Sequence, residues 1–77
     1  MIKEHDRVVL MVDLPEQDLV AGDIGTVVLI HCNRAGYEVE FVALDGESVA
    51  VVSLGASQVR PIAQREIAHA RLVAQAA

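Results

Sequence analysis

Apolar and polar residues alternate most cleanly over Tyr37-Glu38-Val39-Glu40-Phe41-Val42, with Tyr37, Val39 and Phe41 on one side and the two glutamates on the other. A period of two is the mark of a half-buried strand, so these three residues are expected to face a core. Three further runs are apolar without alternation: Arg7 to Val12, Thr26 to Cys32 and Ser48 to Leu54. Their β-branched side chains suit a pleated surface and predict three more strands, apolar on both faces. A fifth strand is expected over Val59-Arg60-Pro61-Ile62. Pro61 has no amide hydrogen to give a ladder, which makes this strand short and places it at an edge.

The punctuation between these runs is turn chemistry. Asp13 to Gly22, with Pro15 and several acids and amides, reads as a long loop. Gly22 and Gly25 flank Asp23-Ile24 just before the second strand, and glycine takes positive φ without steric penalty. The pair predicts a tight turn, with Gly25 itself in the left-handed region. Asn33-Arg34-Ala35-Gly36 and Asp45-Gly46 predict two hairpin turns. Gly55 to Gln58 predicts a short turn with one 3₁₀ turn before the last strand. Beyond Ala63 the pattern changes, because Gln64 to Ala77 lacks glycine and proline and is rich in alanine. Ala63, Ile67, Ala70 and Ala74 recur at helical spacing, and Ala68, Leu72 and Ala76 line a second face. The chain therefore divides into a β domain over 1–62 and a helix over 63–77, packed on or beside it.

Composition changes this picture in one respect. A hydrophobic share of 53% and a mean hydropathy of +0.40 are high for 77 residues. So small a domain cannot hide that much apolar surface, so a partner chain is expected, a second copy included. No apolar run approaches the roughly 20 residues of a membrane helix. Lys3-Glu4-His5-Asp6-Arg7 does not read as a secretory signal, and the lone Cys32 fits a reducing compartment, so a cytoplasmic location is expected.

Charge bears on partners. The net charge is −5, and Asp13, Glu16, Asp18, Asp23, Glu38, Glu40, Asp45 and Glu47 crowd the stretch that holds Arg34 as its one base. A nucleic-acid binder must neutralise phosphates, so nucleic acid is not the expected partner. A basic protein surface is. Glu38, Glu40, Asp45 and Leu72 are the candidate contact residues, the glutamates as solvated groups on the outer face of the third strand.

Candidate chemistry is sparse. Cys32 and His31 are neighbours on a predicted strand and would point to opposite faces, so they cannot act as nucleophile and base. Cys32 is expected to be a buried core thiol. His5, His31 and His69 are far apart in sequence and have no metal-ligand spacing, with His69 expected on an exposed helix face. Asp23 and Asp45 beside glycines are expected to bond nearby backbone amides. With Tyr37 and Phe41 both inward and no tryptophan, there is no aromatic groove for a polyproline ligand. No catalytic residue, cofactor or metal is assigned.

Gly22-Asp23-Ile24-Gly25-Thr26-Val27-Val28 resembles the glycine-bearing turn of KOW-type SH3-like barrels. Gly25-Thr26-Val27-Val28 followed by Tyr37-Glu38-Val39-Glu40-Phe41 is similar to the barrel domain of nitrile hydratase β subunits. A longer likeness runs over residues 4 to 62, through Asp6-Arg7-Val8-Val9-Leu10, Asp13-Leu14-Pro15-Glu16, Asp45-Gly46-Glu47 and Val59-Arg60-Pro61. There the chain resembles a small bacterial family of unknown function. These resemblances imply an SH3-like barrel, which together with the helix expected over 63–77 gives a mainly β protein, a five-stranded SH3-like barrel with a C-terminal α-helix. The longer one further implies a two-protein module, with this chain as the antitoxin- or immunity-like partner of a cognate protein. A KOW-like module associated with nucleic acid is the alternative.

Overall fold

The computed structural model describes residues 1–73. Five strands form one antiparallel sheet: β1 (Arg7–Leu10), β2 (Ile24–Ile30), β3 (Gly36–Val42), β4 (Ser48–Gly55) and β5 (Val59–Pro61). Their order is β4-β3-β2-β1-β5, so β4 and β5 are the two edges and the sheet is open. A flat sheet of five strands would hold its edges about 19 Å apart. Yet only the 3₁₀ turn Ala56–Gln58 joins β4 to β5, an advance of about 6 Å. The sheet must curl for that connection to close. Leu54 at one edge and Val59 at the other accordingly share one core.

The core is the concave face. Val8 and Leu10 of β1, Val27 of β2, Tyr37, Val39 and Phe41 of β3 meet there with Ile2 and Leu19. The alternation of β3 is therefore realised as expected. Each fully buried aliphatic side chain stabilises the fold by about 1.5–3 kcal/mol. Among the described residues no polar or charged one is buried, so the interior is wholly apolar.

Two β-bulges set the faces. One lies in β2, where the register with β3 shifts between Val27 and Leu29. It leaves Val28 and Leu29 adjacent and exposed on the convex side. The other lies at the start of β4, where Val42 pairs with Ser48 but Phe41 pairs with Ala50. The extra residue, Val49, turns the rest of β4 by one position.

Several sequence expectations need correction. Residues 63–73 contain no helix, only a turn at Gln64-Arg65 within irregular chain. The remainder of the expected helix, including Ala74 and Ala76, lies outside the described residues. An isolated helix of this length is marginal in water, and side-chain bonds to the sheet outweigh alanine's propensity. Cys32 is exposed instead of buried. Strand β2 stops at Ile30, and Cys32–Arg34 form a 3₁₀ turn with Asn33 at φ 65°, so neither His31 nor Cys32 lies on a strand. Gly25 is not left-handed. It sits in extended β2 opposite Val8, whereas Gly22 takes the positive φ of 100°. The 3₁₀ turn before the last strand and the edge position of Pro61 agree with expectation.

Candidate functional site

Residues 62–73 form a strap across the convex face, tied down at two points. Glu66 accepts from Arg60 Nη1 at 2.7 Å and Nη2 at 2.5 Å, and from the Ala63 amide at 2.7 Å. Further on, Arg71 donates from Nε and Nη2 to Asp23 at 2.9 and 2.6 Å, and from Nη2 to the Asp18 carbonyl at 2.8 Å. Between these ties Ile67, Ala68 and His69 line a cavity of about 390 Å³ with Val9, Ile24 and Ile62. Val9, on the convex side of β1, is buried. Val9 thus gains a cover from within the chain, from irregular chain and not from a helix, while Met11 stays exposed.

Both ties are charge-assisted. The Arg60 guanidinium, with help from the Ala63 amide, lowers the Glu66 carboxyl from its usual 4.5 to about 2. Arg71 holds the Asp23 carboxyl below its usual value of 3.8, with the Val20 amide adding to the effect and partial burial opposing it. A carboxyl depressed in the folded state contributes above its unfolded value and loses that contribution as pH falls through the folded one. The strap should stay docked at neutral pH and come free between about pH 4 and pH 2. Amide exchange over residues 62–73, corrected for intrinsic rate, should accelerate in that window while β2 and β3 stay protected. Glu66→Gln should loosen the strap at pH 7. Equal protection at pH 7 and pH 2 would rule out ionic docking.

Asp23 and Asp45 also do what aspartates beside turn glycines do. The Val20 amide donates to Asp23 at 2.9 Å and the Glu47 amide to Asp45 at 3.0 Å. The Arg71 tie to Asp23 was not legible in sequence, because it joins positions 48 apart.

Glu38 and Glu40 project from the convex side of β3, as their alternation requires, but neither is a fully solvated carboxylate. Glu38 is half-buried and accepts from Ser53 Oγ at 2.5 Å and pairs with His31 Nε2 at 2.5 Å. The Ser53 hydroxyl first, and His31 second, hold its carboxyl below the usual 4.5. Ser, Glu and His together invite a catalytic reading, but the connectivity is wrong for one. Both neighbours bond to the same carboxylate oxygen, so no base sits between nucleophile and acid. A carboxylate stabilised in its charged form is also a weaker base. Glu40 lies in a row formed by Arg7, Thr26, Glu40 and Val51 across four strands.

The four candidate contact residues separate. Glu40, Asp45 and Leu72 line one groove of about 1420 Å³ between the strap and the β3–β4 turn, and Glu38 does not belong to it. Val42, Leu44 and Leu72 are exposed members of its apolar lining, Leu44 and Leu72 being 93% and 96% exposed. Glu47 also lines it. Sequence reasoning counted Glu47 in the acidic surface but passed over Val42 and Leu44 as contacts, although the Asp45-Gly46 turn places both beside Asp45. Among the described residues no three of His, Cys, Asp and Glu lie close enough to hold a metal ion. No helix of the described chain is long and apolar enough to cross a membrane.

Residues 4–61 match the family model of DUF4926, a domain of unknown function. No curated protein and no solved structure matches the chain.

Proposed function

We propose, from the premise that the chain belongs to the DUF4926 family, that it is a non-enzymatic protein–protein interaction module. Its curled sheet is an SH3-like barrel left open between β4 and β5. It serves in a bacterial cytoplasm as the antitoxin- or immunity-like partner of a basic cognate protein. The observation that carries this reading is the groove, which sets the carboxylates of Glu40, Asp45 and Glu47 beside the exposed aliphatic Val42, Leu44 and Leu72. Arg71 in the same lining is neutralised by Asp23, and Arg7 is outnumbered by the three carboxylates, so the groove keeps a negative excess around its apolar anchors that suits a protein surface of the opposite sign. The barrel reading draws on the two edges that curl around one core, and an exposed Cys32 thiol suits a reducing compartment.

The test is association kinetics with the cognate protein, identified by co-purification with the full chain and then purified. Steering by the acidic rim should make association faster at about 50 mM salt than at about 200 mM. Asp45→Lys with Glu47→Lys should slow association at low salt about tenfold while the chain stays folded, its melting temperature falling only by the few degrees that the lost bond from the Glu47 amide to Asp45 costs. A rate indifferent to salt and to these substitutions overturns the reading. Salt-sensitive retention of RNA by the wild-type chain would transfer it to the KOW-like alternative.

A further inference from the structure

The two edges of the sheet are unequal. β5 has three residues, ends on Pro61, and its Arg60 is held by Glu66. β4 runs eight residues, Ser48-Val49-Ala50-Val51-Val52-Ser53-Leu54-Gly55, with no charge and no proline, and pairs only with β3. Sheet proteins ordinarily blunt an edge with lysine, proline or a short strand, and β4 has none of these.

The register shows which groups this edge offers. The Ala56 amide donates to the Ala35 carbonyl at 3.1 Å, which makes Gly36 and Gly55 a non-hydrogen-bonded pair. Alternation then turns the amides and carbonyls of Ala50, Val52 and Leu54 toward β3, and those of Val51 and Ser53 toward the open edge. At one end the window stops where Gln58 Oε1 takes the Gly55 amide at 2.7 Å. At the other it stops at the Val49 bulge.

We infer that Ala50 to Leu54 is the seam of a two-fold dimer in which β4 pairs antiparallel with β4 of a second copy, Val52 opposite Val52. In that register each Val51 faces Ser53 of the other copy, and each such pair exchanges both N–H···O bonds. Three observations select a second copy as the occupant. The concave-side row of Ala50, Val52 and Leu54 is aliphatic throughout, and its half-buried members at the open lip meet their own kind across the axis. The charge of the chain does not oppose the contact. The cross-strand pairs Glu38–Ser53 and Glu40–Val51 keep Glu38 of one copy about 14 Å from Glu40 of the other, beyond the screening length of about 8 Å. Finally, β5 is too short and blunted to accept β4 of another copy, so the edges cannot build an open ribbon and only the symmetric pair closes. The seam lies outside the lining of the groove, so this inference goes beyond the interaction reading and can fail without it.

The test combines mass with site-resolved exchange on the full chain. Between about 1 and about 100 μM, light scattering should rise from the 8.3 kDa chain mass toward twice that value. Over the same range, exchange at the Val51 and Ser53 amides should slow at least tenfold, while that of Val52 stays unchanged. Val51→Pro removes only an outward amide and should keep the chain monomeric. Val51→Lys, at a side chain 57% exposed, should do the same with the fold undisturbed if proline proves disruptive. A monomer at about 100 μM overturns the proposal. So does a dimer whose Val51 and Ser53 amides exchange as fast as in the monomer.

Discussion

Gly25→Val should be the most damaging single substitution in the sheet, lowering the melting temperature by more than about 12 °C. A Cβ at position 25 would lie 2.5 Å from Val39 Cγ1 and 2.9 Å from Phe41 Cε2. Both neighbours are stiff and buried, at 0% and 2% exposure, so neither can swing away. Overpacking a filled core by a few carbons costs about 1–3 kcal/mol, and valine at this position belongs above that range. A domain of this size has only about 4–12 kcal/mol in total. Gly22→Ala is the informative contrast. A Cβ there meets nothing within 4 Å, but φ of 100° disfavours any side chain, so about 1 kcal/mol is expected. Thermal melts of the two variants decide whether space or backbone conformation requires glycine. A Gly25→Val melt within about 2 °C of wild type would contradict the packing account.

The second large effect is expected at Gly36→Ala, about 2–3 kcal/mol and about 10–20 °C in melting temperature. Its Cβ would meet the Leu54 carbonyl oxygen at 2.7 Å and His31 Nδ1 at 3.1 Å. The obstacle here is backbone, held in the bonded Tyr37–Leu54 pair, so β3 and β4 must separate to admit even one methyl group. His31 would be pushed from Glu38 at the same time. Amide exchange at Tyr37 and Leu54 should accelerate more than at Val8 or Val9. A uniform change across the sheet would mean the methyl group acts globally and the local clash is relieved elsewhere.

These two glycines show where sequence reading stops. Position 36 was read as turn chemistry and position 25 as a left-handed residue, because a glycine in sequence announces freedom without saying what uses it. Both prove to be places where another part of the chain comes too close for a side chain. The partners, Val39, Phe41 and Leu54, are 14 to 18 residues away in the chain, and only the folded sheet brings them there. Of the candidate contacts, Glu40, Asp45 and Leu72 came together in one groove and Glu38 did not. Nothing local marks Glu38 as different from Glu40.

By itself the sequence determined the strands, their approximate limits, the inward row of Tyr37, Val39 and Phe41, the edge position of Pro61 and the turn bonding of Asp23 and Asp45. Each follows from side-chain alternation or from interactions within a few residues. Tertiary structure decided the rest. The Val49 bulge puts Ser53 opposite Glu38; continued without it, the Val42–Ser48 register would place Val52 there and turn β4 inside out. The C-terminal segment had helical propensity, yet Arg60 on the edge strand binds its Glu66, and Asp23, 48 residues away, binds its Arg71, and together they hold it irregular across Val9. Propensity adds a few tenths of a kcal/mol per residue and competes within the segment alone. Bulges, close backbone contacts and long-range ion pairs depend on which strands become neighbours, and that is settled only when the whole sheet curls around its core.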